Sequence, residues 1–202
     1  MKAVRLYEHG PPKNLKYEEN VPDPQVGGDD VLVSVAATSI NPVDWKMRSG
    51  DAKGRFPVTF PGILGRDVSG IVRAVGLNVR GVEVGQRVMA LTTATYAELT
   101  LVRGSELTHI PDGVDIVEAA ALPLIALTGD QLIREACELK RDQSVLITGA
   151  LGSVGRAAVH TALKLGAHVI VGVRKDSVEE AKALGAHAVL ALDDEEELAS
   201  TS

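Results

Sequence analysis

Cysteine is almost missing from this sequence: 202 residues contain one, Cys137, so no disulfide can close within the chain. That usage fits a reducing compartment, and a cytoplasmic location is expected. Aromatic residues are equally scarce at 3%, and basic residues are outnumbered, with a formal net charge of -6. A chain with neither a basic face nor stacking rings is a poor nucleic-acid binder, so no nucleic-acid partner is expected. Long apolar runs are also lacking. The longest, "AAALPLIAL" at 119–127, is interrupted by a proline and is about half the length needed to span a bilayer. The opening "MKAVRLYEHG" has no apolar core, so neither a leader peptide nor a membrane partner is expected. The 45% hydrophobic content does support one large or two small packed domains.

Two stretches differ in texture. Residues 1–115 are rich in Val, Gly and Pro and break into short segments. In "VLVSVAAT", Val31, Val33 and Val35 alternate with smaller or polar neighbours, the period of a half-buried strand. "SGIVRAVG", "GQRVMALT", "AELTLVR" and "ELTHIP" follow between turn residues, which predicts a partly closed β-barrel. "NPVDWKMRSG" reads as a short helix ended by Gly50. From residue 116 to 202 the pattern becomes α/β. "IVEAAALPLIALTGDQLIREACEL" predicts helix with a break near Pro123, and Cys137 falls on its apolar face, where it reads as core. Strand "SVLIT", helix "SVGRAAVHTALKLG", strand "HVIVGV", helix "DSVEEAKALG" capped by Asp176 or Ser177, and strand "HAVLAL" then make half of a doubly wound parallel sheet. The acidic run at 193–197 reads as a solvated loop or helix start.

The turn between "SVLIT" and its helix carries chemistry. Ala150, Gly152 and Gly155 have the spacing A-x-G-x-x-G, with Gly149 just before them. A dinucleotide diphosphate needs backbone N–H groups aimed at it and no side chain in the way. A glycine turn at a helix N-terminus provides both, together with the favourable end of the helix dipole. Gly149, Ala150, Gly152, Ser153, Val154 and Gly155 are therefore the candidate cofactor-binding residues. At the end of the next strand, where an acidic residue selects NAD, the sequence has Arg174 and Lys175. An Arg fork and a Lys point charge suit a ribose 2′-phosphate, so NADPH is the expected cofactor. Asp176, one residue on, keeps NAD as an alternative.

With these stretches in hand, the chain resembles the medium-chain dehydrogenase/reductase superfamily in its zinc-independent, quinone oxidoreductase-like branch. The likeness is carried by "ATSINPVDWKMRSG", "FPGILGRDVSGIVRAVG", "VGQRVMAL", "YAELTLV", "IPDGVDIVEAAALPLIALTG" and "ITGALGSVGRAAVHTALKLGAHVI", in the family's order. It implies a GroES-like barrel followed by a nicotinamide-nucleotide Rossmann domain. It also implies that positions ligating zinc in zinc-bearing relatives are held here by Asn41, by Arg66 and Asp67 after Gly65, and by a residue near Leu124. Tetrahedral zinc needs three or four N, S or O ligands, and the five histidines lack ligand spacing, so no metal site is expected.

The resemblance places Asn41 and Asp44 at a substrate cleft with Trp45 and Lys46 nearby, and Thr128 towards the cofactor. Asn41, Asp44 and Thr128 are the candidate catalytic residues, Asn41 and Thr128 also touching cofactor. Asn41 is read as a donor to the nicotinamide ribose or to the substrate oxygen, and Asp44 as a group that pairs with Lys46 or acts in catalysis. Tyr96 is either a cleft residue or a strand residue, and Arg66 and Asp67 either an internal ion pair or part of the site. Without a Lewis acid, hydride transfer favours acceptors that are already electrophilic, so a quinone or an α,β-unsaturated carbonyl is the expected small-molecule substrate. Relatives usually exceed 300 residues. A fragment of a longer enzyme, with a partial Rossmann sheet and a homodimer in the full-length form, is therefore expected. Short-chain dehydrogenases share "TGALGSVG" but place it near the N-terminus and use a downstream Y-x-x-x-K, and no Tyr follows Tyr96. A non-catalytic NADPH-binding protein of the same fold is the remaining alternative.

Overall fold

The computed structural model describes residues 1–194. The expectation for the acidic run at 193–197 therefore lies partly outside the described residues. The chain divides into two compact units, Met1–Leu124 and Ile125–Ser202.

In the first unit a five-stranded antiparallel sheet is built from β3 (Asp30–Ala37), β5 (Asp67–Val75), β6 (Arg87–Leu91), β7 (Leu99–Arg103) and β8 (Leu107–His109), in the order β7-β3-β5-β6-β8. Each corresponds to a strand read from the sequence. The Val31/Val33 alternation puts both side chains inward at 0% exposure, against Val68, Val72, Val88 and Val102. A smaller antiparallel sheet, β1 (Ala3–Leu6), β2 (Leu15–Glu18) and β4 (Gly62–Ile63), was not legible in the sequence. Its strands are two to four residues long, too short to show a period. Helix α1 (Pro42–Ser49) forms as expected: Pro42 opens it, and Gly50 closes it in the left-handed conformation at φ 93°. Its Met47 packs with Leu6 and Leu64 in a second small core.

Between the barrel and the parallel sheet, the expected break near Pro123 separates α2 (Ile116–Ala119) from α3 (Pro123–Gln131). Helix α3 runs on into a π-helical turn, Leu132–Ala136. That wider turn rotates the end of the segment. Ile133 stays buried while Leu132 and Cys137 face solvent, so Cys137 is exposed and not the core residue its apolar neighbours predicted.

The second unit alternates β9 (Ser144–Thr148), α4 (Ser153–Leu165), β10 (His168–Val173), α5 (Val178–Lys182) and β11 (Ala188–Ala191). The strands are parallel in the order β11-β10-β9, as half of a doubly wound sheet requires. The core is Ile147, Val169, Val171 and Val173 from the sheet, with Ala158, Val159 and Ala162 from α4. Helix α5 is shorter than its sequence pattern. Ser177 occupies its N-cap without a side-chain capping bond, because its hydroxyl donates to Asp176 Oδ1 at 2.8 Å instead. Among the described residues no helix is long and apolar enough to cross a membrane.

Two glycines of the β9–α4 turn differ in why they are glycine. A Cβ on Gly155 would sit 2.2 Å from Gly149 O and 2.8 Å from Ala150 Cα, so only glycine lets α4 lie this close to the turn. A Cβ on Gly152 would meet only Gly149 O, at 3.2 Å, and its φ of −68° suits any residue. Gly155→Ala is therefore expected to destabilise the second unit by about 3 kcal/mol, and Gly152→Ala by less than about 1 kcal/mol. Urea unfolding of the two variants checks the difference.

Candidate functional site

The candidate residues fall into two groups, one in each unit. In the first, the chain after β3 turns into α1 through Ser39 and Asn41, and β5 begins with Asp67. Asp67 is 0% exposed. A carboxylate at that depth survives only if donors surround it. Asn41 Nδ2 donates to its Oδ2 at 2.8 Å, Ser39 Oγ donates to the same oxygen, and the Leu124 N–H donates to Oδ1 at 2.7 Å. The three positions at which the resemblance expects zinc ligands in other relatives are thus drawn together here by a carboxylate. Arg66 and Asp67 form no ion pair; the Arg66 guanidinium lies over the Phe56 ring, 5.6 Å from its centroid.

Asn41 uses both amide hydrogens inside the protein, one on Asp67 and one on Ser39 Oγ at 2.8 Å. The carboxylate fixes which way the amide points. The side chain's remaining capacity is as an acceptor through Oδ1, which corrects the donor role read from the sequence. Asp44 is 3% exposed, and its Oδ2 accepts the Asn41 N–H at 2.7 Å, fastening the first turn of α1. It does not pair with Lys46, whose ammonium lies 5.5 Å from the Trp45 ring centroid. The pairing failed because Asp44 faces inward at the helix N-terminus while Trp45 and Lys46 face solvent.

Tyr96 lies in a bend between β6 and β7, not in a strand. Its Oη, Asp44 Oδ1 and Arg66 Nε are buried without a well-formed hydrogen bond. Burial pushes the Tyr96 hydroxyl well above its ordinary range, and the nearby Asp44 carboxylate pushes it further, so it stays protonated. Burial also raises Asp44; the Asn41 N–H opposes the shift and Asp67 adds to it.

In the second unit, Gly149, Ala150, Gly152, Ser153, Val154 and Gly155 form one continuous turn at the carboxyl end of β9. The Gly149 N–H donates to Gly172 O of β10 at 3.2 Å, and the Gly152 N–H to Gly149 O at 2.9 Å. The first acceptor of α4 is Gly152 O, taken by the Arg156 N–H at 2.8 Å. The N–H groups of Ser153, Val154 and Gly155 precede it and point out of the helix end. At Gly152 internal packing makes little demand for glycine, so the turn leaves room there for an external group. Arg174 and Lys175 leave the carboxyl end of β10, both exposed. The Lys175 Nζ is 2.7 Å from Asp194 Oδ2, and the Lys175 N–H donates to Asp193 Oδ1 at 2.7 Å, two acidic partners the sequence reading missed. They lie past β11, and only the parallel order of the sheet brings them alongside β10. Thr128 is half-buried in α3, one residue before Gly129, where a Cβ would come within 2.6 Å of Ala157 Cβ on α4.

An antiparallel barrel followed by a glycine turn on a parallel sheet is the arrangement that the resemblance to medium-chain dehydrogenase/reductases implies. Residues 27–112 match the alcohol dehydrogenase GroES-like domain. The chain is 33% identical to the mitochondrial NAD(P)H oxidoreductase RTN4IP1 of Mus musculus, over 94% of this chain and 53% of that protein. It is 35% identical to the chloroplastic quinone-oxidoreductase homolog of Spinacia oleracea, over 87% of this chain and 56% of that protein. Its structure resembles the quinone oxidoreductase from Coxiella burnetii (TM-score 0.78, 31% identity, all of this chain and 65% of that one). It also resembles mycobacterial Rv1454c complexed with NADPH (TM-score 0.79, 31% identity, all of this chain and 62% of that one). The chain is thus similar to quinone oxidoreductase-like proteins of that superfamily. It spans about half the length of the curated relatives it matches.

Two outcomes follow for the barrel site. Asp67→Ala strands three donors and is expected to cost about 4 kcal/mol in urea unfolding. For Asp44, the folded state holds the proton more tightly than the unfolded chain, whose carboxyl has its ordinary value of 3.8. Its contribution therefore favours folding at low pH and is lost as pH rises from 3.8 through the raised folded value. The stability of Asp44→Asn relative to the parent should climb across that window and level off above it, as read by urea midpoints at stepped pH.

Proposed function

We propose that the chain is the barrel and nucleotide-binding part of an NADPH-dependent oxidoreductase that delivers a hydride to a quinone or an α,β-unsaturated carbonyl. The observation that carries this reading is the β9–α4 turn. Its internal packing explains Gly155 but leaves Gly152 open to an external group, and two cations stand at the end of the neighbouring strand. When bound, the nicotinamide nucleotide supplies the hydride. The Ser153, Val154 and Gly155 N–H groups hold the diphosphate, with Gly149 and Ala150 shaping the approach. Arg174 and Lys175 receive the 2′-phosphate.

In the barrel, Asn41 presents Oδ1 as an acceptor for a hydroxyl of cofactor or substrate, and its amide stays fixed because Asp67 holds both its position and its orientation. Asp44 is a positioning residue: it secures the Asn41 backbone and does not itself exchange protons with substrate. Thr128 is assigned to the cofactor side. The names of the mouse and spinach relatives, and the NADPH complex of the mycobacterial one, support the cofactor class and the acceptor class.

Calorimetry with NADPH and NADH, then NADPH oxidation with a quinone and with an enone, tests the reading. Binding of NADPH with turnover of either acceptor is expected. Binding without turnover favours the non-catalytic alternative. Replacing Arg174 and Lys175 together by Ala should weaken NADPH about 100-fold and NADH less than about threefold, the loss of two charge-assisted contacts to phosphate. Equal loss for both nucleotides would remove the phosphate role.

A further inference from the structure

The loops that follow β10 and β11 lie side by side, because the two strands are parallel neighbours with Val173 opposite Ala191. The second loop is anchored by its backbone. The Leu192 N–H donates to Val173 O at 2.8 Å and the Asp194 N–H to Ala191 O at 3.2 Å. From that fixed base two carboxylates reach the cation loop: Asp193 Oδ1 on the Lys175 N–H and Asp194 Oδ2 on the Lys175 ammonium, each at 2.7 Å. The pair is asymmetric. The Asp194 side chain is 18% exposed and set into the fold, while Lys175 is 71% exposed. Arg174, by contrast, is exposed and has no ion pair among the described residues.

Resting on the NADPH reading above, we propose that Asp194 is a specificity-determining residue: it holds the Lys175 ammonium as a built-in counter-ion, which a ribose 2′-phosphate must share, and so tempers the preference for NADPH over NADH. A surface ion pair between two mobile side chains does little. Here one partner is largely buried on an anchored loop, so the ammonium is held in one direction. A phosphate arriving at Lys175 meets an ammonium already engaged by a carboxylate, and that carboxylate repels a dianion. NADH brings only an uncharged 2′-hydroxyl to that spot, so the carboxylate repels nothing there. Arg174, which has no ion pair among the described residues, is the cation that meets the phosphate with its guanidinium fork.

The test is dinucleotide affinity by calorimetry, independent of any turnover, on the chain and on Asp194→Asn, Lys175→Ala and the double variant, with thermal midpoints confirming that each folds. Asp194→Asn keeps the shape and removes the charge. It is expected to tighten NADPH about fivefold, a coupling of ordinary size for a charge pair with one exposed partner, and to leave NADH within about twofold. In the Lys175→Ala background the gain should vanish, since no ammonium remains to be released. NADPH affinity that is unchanged or weaker in Asp194→Asn, an equal gain for both nucleotides, or a gain that persists without Lys175 would each overturn the inference while leaving the nucleotide reading standing. If the parent chain binds neither nucleotide, the nucleotide reading itself fails and takes this inference with it.

Discussion

The barrel site depends on one buried negative charge. Asp67 is removed from water entirely, and among the described residues no cation pairs with it. Its stability comes from donors supplied by three separate segments: the chain after β3, the start of α1, and Leu124 in α3. Such a carboxylate is expensive to bury and still more expensive to leave unsatisfied, so it holds those segments in one arrangement. It also explains why the positions that bind metal in zinc-bearing relatives can carry Asn, Asp and Leu together. The anion organises them through hydrogen bonds, and a leucine contributes as well as any residue because only its backbone N–H is used. Asn41 is then a consequence. Its orientation, and hence the acceptor it presents, is dictated by the carboxylate behind it.

The second unit solves a different problem by contact distance. Gly155 brings α4 against the turn closely enough that no side chain fits between. That closeness aims the first N–H groups of the helix at the mouth of the turn. Within three residues Gly155 serves the fold, while Gly152 leaves open space where the proposed diphosphate would lie. A motif that looks uniform in sequence divides into two physical roles once distances are known.

Where the sequence spoke clearly, period was long enough to read. The Val31/Val33 alternation, the strand–helix alternation from Ser144 onward and the Gly50 helix end all appear where expected. The strands of the small sheet were invisible because two to four residues carry no period. Cys137 was misplaced for a related reason. Helical periodicity does not hold through a segment that widens into a π turn, where one extra residue per turn moves a side chain from core to solvent. In the barrel site the residue types were legible but their pairings were not. Asp44 has a lysine two positions on, yet residues that close in a helix do not share a face, so its partner became the Asn41 backbone.

The same limit governs cofactor choice. Read along the chain, "VRKDS" offers two cations and one carboxylate, and the cations prevail. Read across the sheet, the neighbouring strand delivers Asp193 and Asp194 to the same place from about twenty residues away. The charge a phosphate would meet is therefore set by two loops together, and neither sequence segment states it alone. Parallel sheets make this arrangement general, since the ends of adjacent strands always converge at the ligand edge. A cation at the end of the second strand has its full strength only when the third strand leaves it unneutralised. Among the described residues that condition is met by Arg174 and not by Lys175, and on the NADPH reading proposed above the guanidinium would be the principal recogniser of phosphate and the ammonium a tunable second.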